Sequence, residues 1–270
     1  MIELAPRHKI GLPVENPVLI AGGMIGYGEA THRGLDLSNV GAVVVGPISR
    51  SSRLGSEGPR LAETTGGFVL ETGLQNRGVN AVMKKFARIW QRLGCPVIAQ
   101  IVDDHPEDAA VTARRLLGAD GLMGLELALS AQTTPAQMAE IVAAIRWEND
   151  LPLWVKSPLA LATEIAAAAV KAEVDALVIG TPSSGALLNR DGVPVRGALY
   201  GPLSFAPMLA ALIEVARLNL PIPLIGCGGI HTAAQARQAI SAGASAVQLD
   251  SVIWIEPGSA TRIAGEMIRE

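Results

Sequence analysis

Aromatic residues are scarce in this chain. They make up 3% of its 270 residues, while small and branched aliphatic residues and glycine abound. Barrels and doubly wound sheets have this texture, with branched residues in strands and alanine-rich helices around them. Cysteine is scarcer still: Cys95 and Cys227 are the only two, and no CxxC occurs. That excludes a disulfide scaffold and predicts two small buried hydrophobes. No long basic run is present and the net charge is −3, which argues against the concentrated positive face that nucleic acid requires. No uninterrupted apolar run reaches about 18 residues, so no membrane span is expected. The opening MIELAPRHKIGLPVENPVLIAGG lacks a basic segment followed by a continuous apolar run, so it does not read as a signal peptide. A soluble cytoplasmic protein is the expectation. His8, His32 and His231 show no ligand spacing, and GxSxG, HExxH, P-loop and Rossmann fingerprints are all missing. No metal is expected.

What is present is a rhythm. Apolar runs of strand length recur at PVLIAG (17–22), GAVVVG (41–46), PVIAQIV (96–102) and LMGLELAL (122–129), then at LPLWVK (151–156), ALVIGT (176–181), IPLIGC (222–227) and SAVQLD (245–250). Continuous apolar strands are buried on both faces, as in a parallel sheet. Alanine-rich helical patterns between them give repeated βαβ units. The predicted fold class is therefore α/β: a (β/α)8 TIM barrel, one domain over residues 1–270, with a doubly wound sheet as the alternative. Residues 47–78 and 182–203, after the second and sixth strands, are too long for simple turns and read as binding loops at the functional face. The N-terminal segment is predicted to form a hairpin that closes the barrel bottom.

Several residues could carry chemistry. The turn GCGGI (226–230) ends a strand and opens a helix, so its backbone can approach an anion closely, or merely pack strand on helix. Asp250 ends the eighth strand beside the same pocket. A carboxylate about 5 Å from a phosphate, at an effective dielectric near ~20, costs roughly 3 kcal/mol per phosphate charge. A helix dipole returns at most ~1–2 kcal/mol. An unpaired, inward Asp250 thus weakens phosphate binding more than a hundredfold, unless it turns away, pairs with a cation, or the ligand is not a phosphate. Lys156 ends the fifth strand, where a buried ammonium needs a partner, and Glu126 on the fourth strand is a plausible one. Asn76 in GLQNRG can orient a planar ligand or brace a turn. Asp103, with Asp104 and His105, can serve acid–base chemistry or simply cap a helix.

Longer strings carry a family resemblance. NPVLIAGG, the loop string RLGSEGPRLAETTGGFVLETGLQNRGV, GLELALSAQ, LWVKSP, GALYGPLSFAPMLAAL and IPLIGCGGIHTAAQARQAISAGASAVQL run along nearly the whole chain. Together they resemble the dihydroorotate dehydrogenase family of FMN-dependent (β/α)8 barrels. By that resemblance, Asn76 contacts substrate and Lys156 lies beside the flavin. Ala21 and Gly22 lie under its ring; Gly201, Gly228, Gly229 and Ser251 surround its phosphate. FMN is thus the implied cofactor, a small molecule the implied ligand, and a homodimer the implied assembly.

The departures fall on the chemistry. The family's catalytic base falls on Ala131 and a substrate asparagine on Thr133. A flavin-contacting lysine falls on Gly46, and an asparagine on Ala128. A further asparagine falls near Gly180, and the glycine that closes on the phosphate falls on Asp250. Alanine cannot accept a proton. The chain is therefore expected not to oxidise dihydroorotate efficiently. The first expectation is a CH–CH oxidoreductase that keeps FMN and acts on another substrate, with Lys156, Glu71 or Asp103 as candidate catalytic residues. The second is a flavin-free homologue, a non-redox biosynthetic enzyme or complex subunit, that binds another ligand; Gly46, Ala128 and Asp250 point that way. A non-catalytic partner-binding scaffold is the third.

Overall fold

All eight apolar runs become strands. A computed structural model describes residues 1–29 and 34–268, so His32 lies outside the described residues. In chain order the strands are β1 (Ile2–Glu3), β2 (Pro13–Val14), β3 (Val18–Ile20), β4 (Ala42–Ile48), β5 (Leu61–Thr64), β6 (Gly67–Leu70) and β7 (Val97–Ile101). Then come β8 (Leu122–Ala128), β9 (Leu153–Pro158), β10 (Ala176–Thr181), β11 (Ser184–Leu188), β12 (Pro194–Tyr200), β13 (Leu224–Cys227) and β14 (Ala246–Leu249). The helices are α1 (Val79–Trp90), α2 (Pro106–Leu116), α3 (Pro135–Glu148), α4 (Ala162–Lys171), α5 (Phe205–Ala216), α6 (Ala233–Ser241), α7 (Val252–Ile255) and α8 (Ser259–Ile268).

Eight parallel strands close on themselves in the order β3-β4-β7-β8-β9-β10-β13-β14, with β14 returning to β3. This is the (β/α)8 barrel. Pro106 opens α2 with Glu107 and Asp108 in its first turn, where the helix dipole favours anions. Thr232 caps α6, and Gln235 completes a capping box.

The hairpin β1–β2 sits below the barrel, as the N-terminal segment suggested. Its connecting residues Leu4 and Leu12 are fully buried. A Cβ added to Gly124 would lie 2.8 Å from the Leu12 side chain, so the strand needs a glycine there to admit the plug.

The two long loops hold a structure that the loop reading did not anticipate. Strands β5 and β6 from the first pair with β11 and β12 from the second in one antiparallel sheet, ordered β11-β12-β6-β5. The joining contact is β12 with β6, Tyr200 opposite Phe68. Among the described residues no helix is long and apolar enough to cross a membrane.

Candidate active site

The inward side of β8 shows how the barrel is filled. Gly124 meets the plug, Glu126 lies in the middle and Ala128 lines the mouth. Such alternation is what a pleated strand gives. The middle layer is polar where barrels ordinarily pack branched apolar residues. Glu126 Oε1 accepts from Gln100 Nε2 at 2.8 Å, and its Oε2 accepts from Gln248 Nε2 at 2.6 Å. Lys156 Nζ donates to Gln248 Oε1 at 2.8 Å and to Cys227 Sγ at 3.2 Å. Gln248 thus bridges the ammonium and the carboxylate. Burial works against the Lys156 charge, yet Cys227, Glu126 and Asp250 outweigh it and hold its pKa above the ordinary value. Burial pushes the Cys227 thiol up to about 11, so it stays a thiol at neutral pH. Both cysteines are free; Cys227 is buried, whereas Cys95 is only partly so.

Above this layer opens a cavity of about 470 Å³. Its floor holds Ala21, Gly22, Lys156 and Cys227, and its walls include Met24, Leu129, Ser130, Thr181, Tyr200, Trp254 and Asp250. The Gln100 carboxamide packs on Gly22, 2.5 Å from where a Cβ would stand. Tyr200 stacks on Phe68 at 5.6 Å, and Trp254 tilts against both rings. The covering sheet is thereby tied to the barrel rim. Burial, then Asp250, pushes the Tyr200 hydroxyl up to about 12.

Asp250 points inward and is 3% exposed. Its Oδ2 accepts from the Gly229 N–H at 3.4 Å, and Ser251 Oγ donates to its Oδ1 at 3.3 Å. Burial raises its pKa, partly countered by the Gly229 N–H and by Lys156. Gly228 and Gly229 both have positive φ. At Gly229 a Cβ would also run into the Phe205 backbone nitrogen and lie 2.9 Å from the Gly201 carbonyl. The turn after β13 thus packs at Gly229 against the Gly201–Phe205 segment, and Gly201, Gly228 and Gly229 lie outside the cavity lining.

The other sequence candidates separate cleanly. Ala21, Gly22 and Lys156 reach the cavity; Asn76, Glu71, Asp103 and Ser251 do not line it. Asn76 Oδ1 accepts from Gly78 N, while its Nδ2 donates to Leu74 O and Ser49 Oγ. Its amide braces the loop and does not face the mouth. Glu71 accepts from Ser56 and Gly73 within the same loop. Asp103 accepts from Thr112 Oγ1 and the Arg50 N–H, with burial raising its pKa. Neither carboxylate lines the cavity. Ala131 is exposed, and its neighbour Ser130 lines the cavity instead, bonded to Thr133 at 3.0 Å. Gly46 has φ 138°, and a Cβ there would meet the Gln100 carbonyl at 3.0 Å. Gln100, Gln248, Cys227, Tyr200 and Trp254 were not singled out from sequence. The two glutamines did leave a signal, as lone polar residues inside apolar runs.

The model of the dihydroorotate dehydrogenase family matches residues 7–270. The chain belongs to the dihydroorotate dehydrogenase family. It is 34% identical, over 95% of its length and 89% of the relative, to the catalytic subunit of dihydroorotate dehydrogenase B (NAD(+)) of Desulforudis audaxviator. The corresponding subunit of Geobacter sulfurreducens is 33% identical over 96% of this chain and 90% of the relative. In fold the chain is similar to the crystal structure of DHODH in complex with ferulenol from Eimeria tenella. That likeness has a TM-score of 0.81 and 19% identity, covering 94% of this chain and 80% of the other. Among the described residues no cluster of His, Cys, Asp or Glu has the makings of a metal site.

The family implies FMN, and the two ends of the site answer differently. The ring end fits: the Ala21–Gly22 backbone, Lys156 and apolar walls surround a cavity of suitable size. The phosphate end does not fit, because the Gly229 N–H already serves the Asp250 carboxyl.

Proposed function

We propose that this protein is a dihydroorotate dehydrogenase-like redox enzyme, of the CH–CH oxidoreductase class, acting on a substrate other than dihydroorotate. One observation carries the reading: the cavity keeps Lys156 and the Ala21–Gly22 floor, while the loop position of the family base is an exposed alanine, Ala131. A flavin ring, when bound, supplies two-electron chemistry that the side chains lack. The chain's own part is to bind and orient. The Lys156 ammonium, held by Gln248, stabilises negative charge at the cavity floor. Thr181 Oγ1 is buried without a partner and lines the cavity, so it is free to bond a ligand. Tyr200 and Trp254 wall off water. The resemblance adds a homodimer to this reading.

A second reading has its own support. Gln100 lies against Gly22 and no lysine stands at position 46, which suits a flavin-free homologue binding another ligand, as a non-redox biosynthetic enzyme or complex subunit. The test is the visible absorption spectrum of the purified protein after flavin is added back and the excess removed, with dihydroorotate turnover assayed alongside. A retained flavin spectrum and no orotate formation is the expected result. Orotate at ordinary enzyme rates would overturn the altered substrate. A colourless protein that refuses every flavin would favour the second reading.

A further inference from the structure

The turn after β13 has the shape of an anion nest, yet its Gly229, His231 and Thr232 N–H donors are already engaged by the chain itself. Gly229 N–H is bonded to Asp250. His231 N–H and Thr232 N–H both go to Gln235 Oε1, at 2.8 and 3.1 Å. Ser251, where the resemblance places a phosphate contact, donates to Asp250. Lys156 is the one cation lining the cavity among the described residues, and it is held by Gln248 and Cys227. A phosphate arriving here would find no unpaired donor among these groups and a carboxyl in its place.

The carboxyl acts in either protonation state. Ionised, it repels a phosphate through a poorly screened medium, an effect of about a hundredfold or more on affinity. Protonated, it still fills the position and holds the Gly229 N–H. What Asp250 can accept is a donor: its side chain lines the cavity, and a ligand hydroxyl can pair with it. The Thr181 hydroxyl, buried without a partner, adds another polar group to the lining.

We infer that Asp250 is a built-in occupant of the phosphate position, and that the mouth takes a planar ligand with a neutral, hydroxyl-bearing tail: riboflavin in preference to FMN. This rests on the proposed redox reading for the ring end and adds the chemistry of the tail. Substitution of Asp250 by glycine removes the occupant and frees the Gly229 N–H. Asp250→Asn keeps the bulk and removes the charge.

The experiment is a titration of the full chain with riboflavin and with FMN, followed by quenching of flavin fluorescence, for wild type, Asp250→Gly and Asp250→Asn. Thermal melts confirm that each variant is folded. Wild type is expected to bind riboflavin at least a hundredfold more tightly than FMN. Asp250→Gly is expected to gain FMN affinity tenfold or more, with Asp250→Asn between. Wild type binding FMN as tightly as riboflavin overturns the inference and leaves the proposed function standing. If wild type and Asp250→Gly bind neither flavin, the inference falls together with the redox reading.

Discussion

Asp250 is a carboxyl that folding makes harder to ionise. A group whose folded pKa lies above its unfolded value favours the folded state below the unfolded pKa. That contribution is lost as pH rises through the folded pKa. Burial is the dominant cause at Asp250, so its window opens at the ordinary carboxylate range and extends upward. Asp250→Asn, which cannot ionise, is therefore expected to melt higher than wild type at neutral pH, by a few degrees. The gain should shrink on acidification and vanish below about pH 4. Calorimetric melts of both proteins across pH decide it; equal Tm values at neutral pH would contradict it. The residue scale also shows why the missing lysine at position 46 is not a simple deletion. Gly46 has positive φ beside the Gln100 backbone, so the local chain path suits glycine and a side chain there would be strained.

At the scale of elements, the hairpin plug carries a measurable load. Leu12 is fully buried against Gly124 under the polar layer. Leu12→Ala is expected to cost about 2–5 kcal/mol, through lost transfer energy and the cavity left behind. Urea unfolding would show this as a lower midpoint at unchanged slope. A cost under about 1 kcal/mol would mean that the bottom of the barrel can collapse around the gap. The barrel strands were legible because two-sided burial writes itself as unbroken apolar runs such as GAVVVG. Strands β5, β6, β11 and β12 were not, because their burial is one-sided and the pairing that joins the two hairpins, β6 with β12, links segments far apart along the chain. The site was half legible. Lys156 and Asp250 showed as charges ending apolar strands, and Gln100 and Gln248 as polar breaks within them. Their convergence on Glu126 depends on how the strands stagger around the barrel, which no local pattern records. Asn76, Glu71 and Asp103 have the right chemistry for a site, but their polar atoms are engaged by neighbouring backbone and hydroxyls.

For the whole molecule, the sheet over the mouth is made from two excursions that leave different barrel strands. β6 and β12 hydrogen-bond across that divide, and Phe68, Tyr200 and Trp254 fasten the seam. Amide hydrogen exchange is expected to report a single opening energy for β6 and β12, lower than that of the barrel strands. Exchange of one strand well ahead of the other would show that the excursions part independently. Tyr200→Ala removes the central ring and should speed exchange in both strands together.

A composite cover of this kind constrains inheritance as well as motion. Neither excursion has a complete set of backbone partners without the other, so a change of register in one must be answered in its counterpart. A chimera that imports only residues 47–78 from a relative brings half of a seam. The specificity-bearing unit that evolution or an engineer can exchange is the matched pair of segments, 47–78 with 182–203, carried across as one cassette.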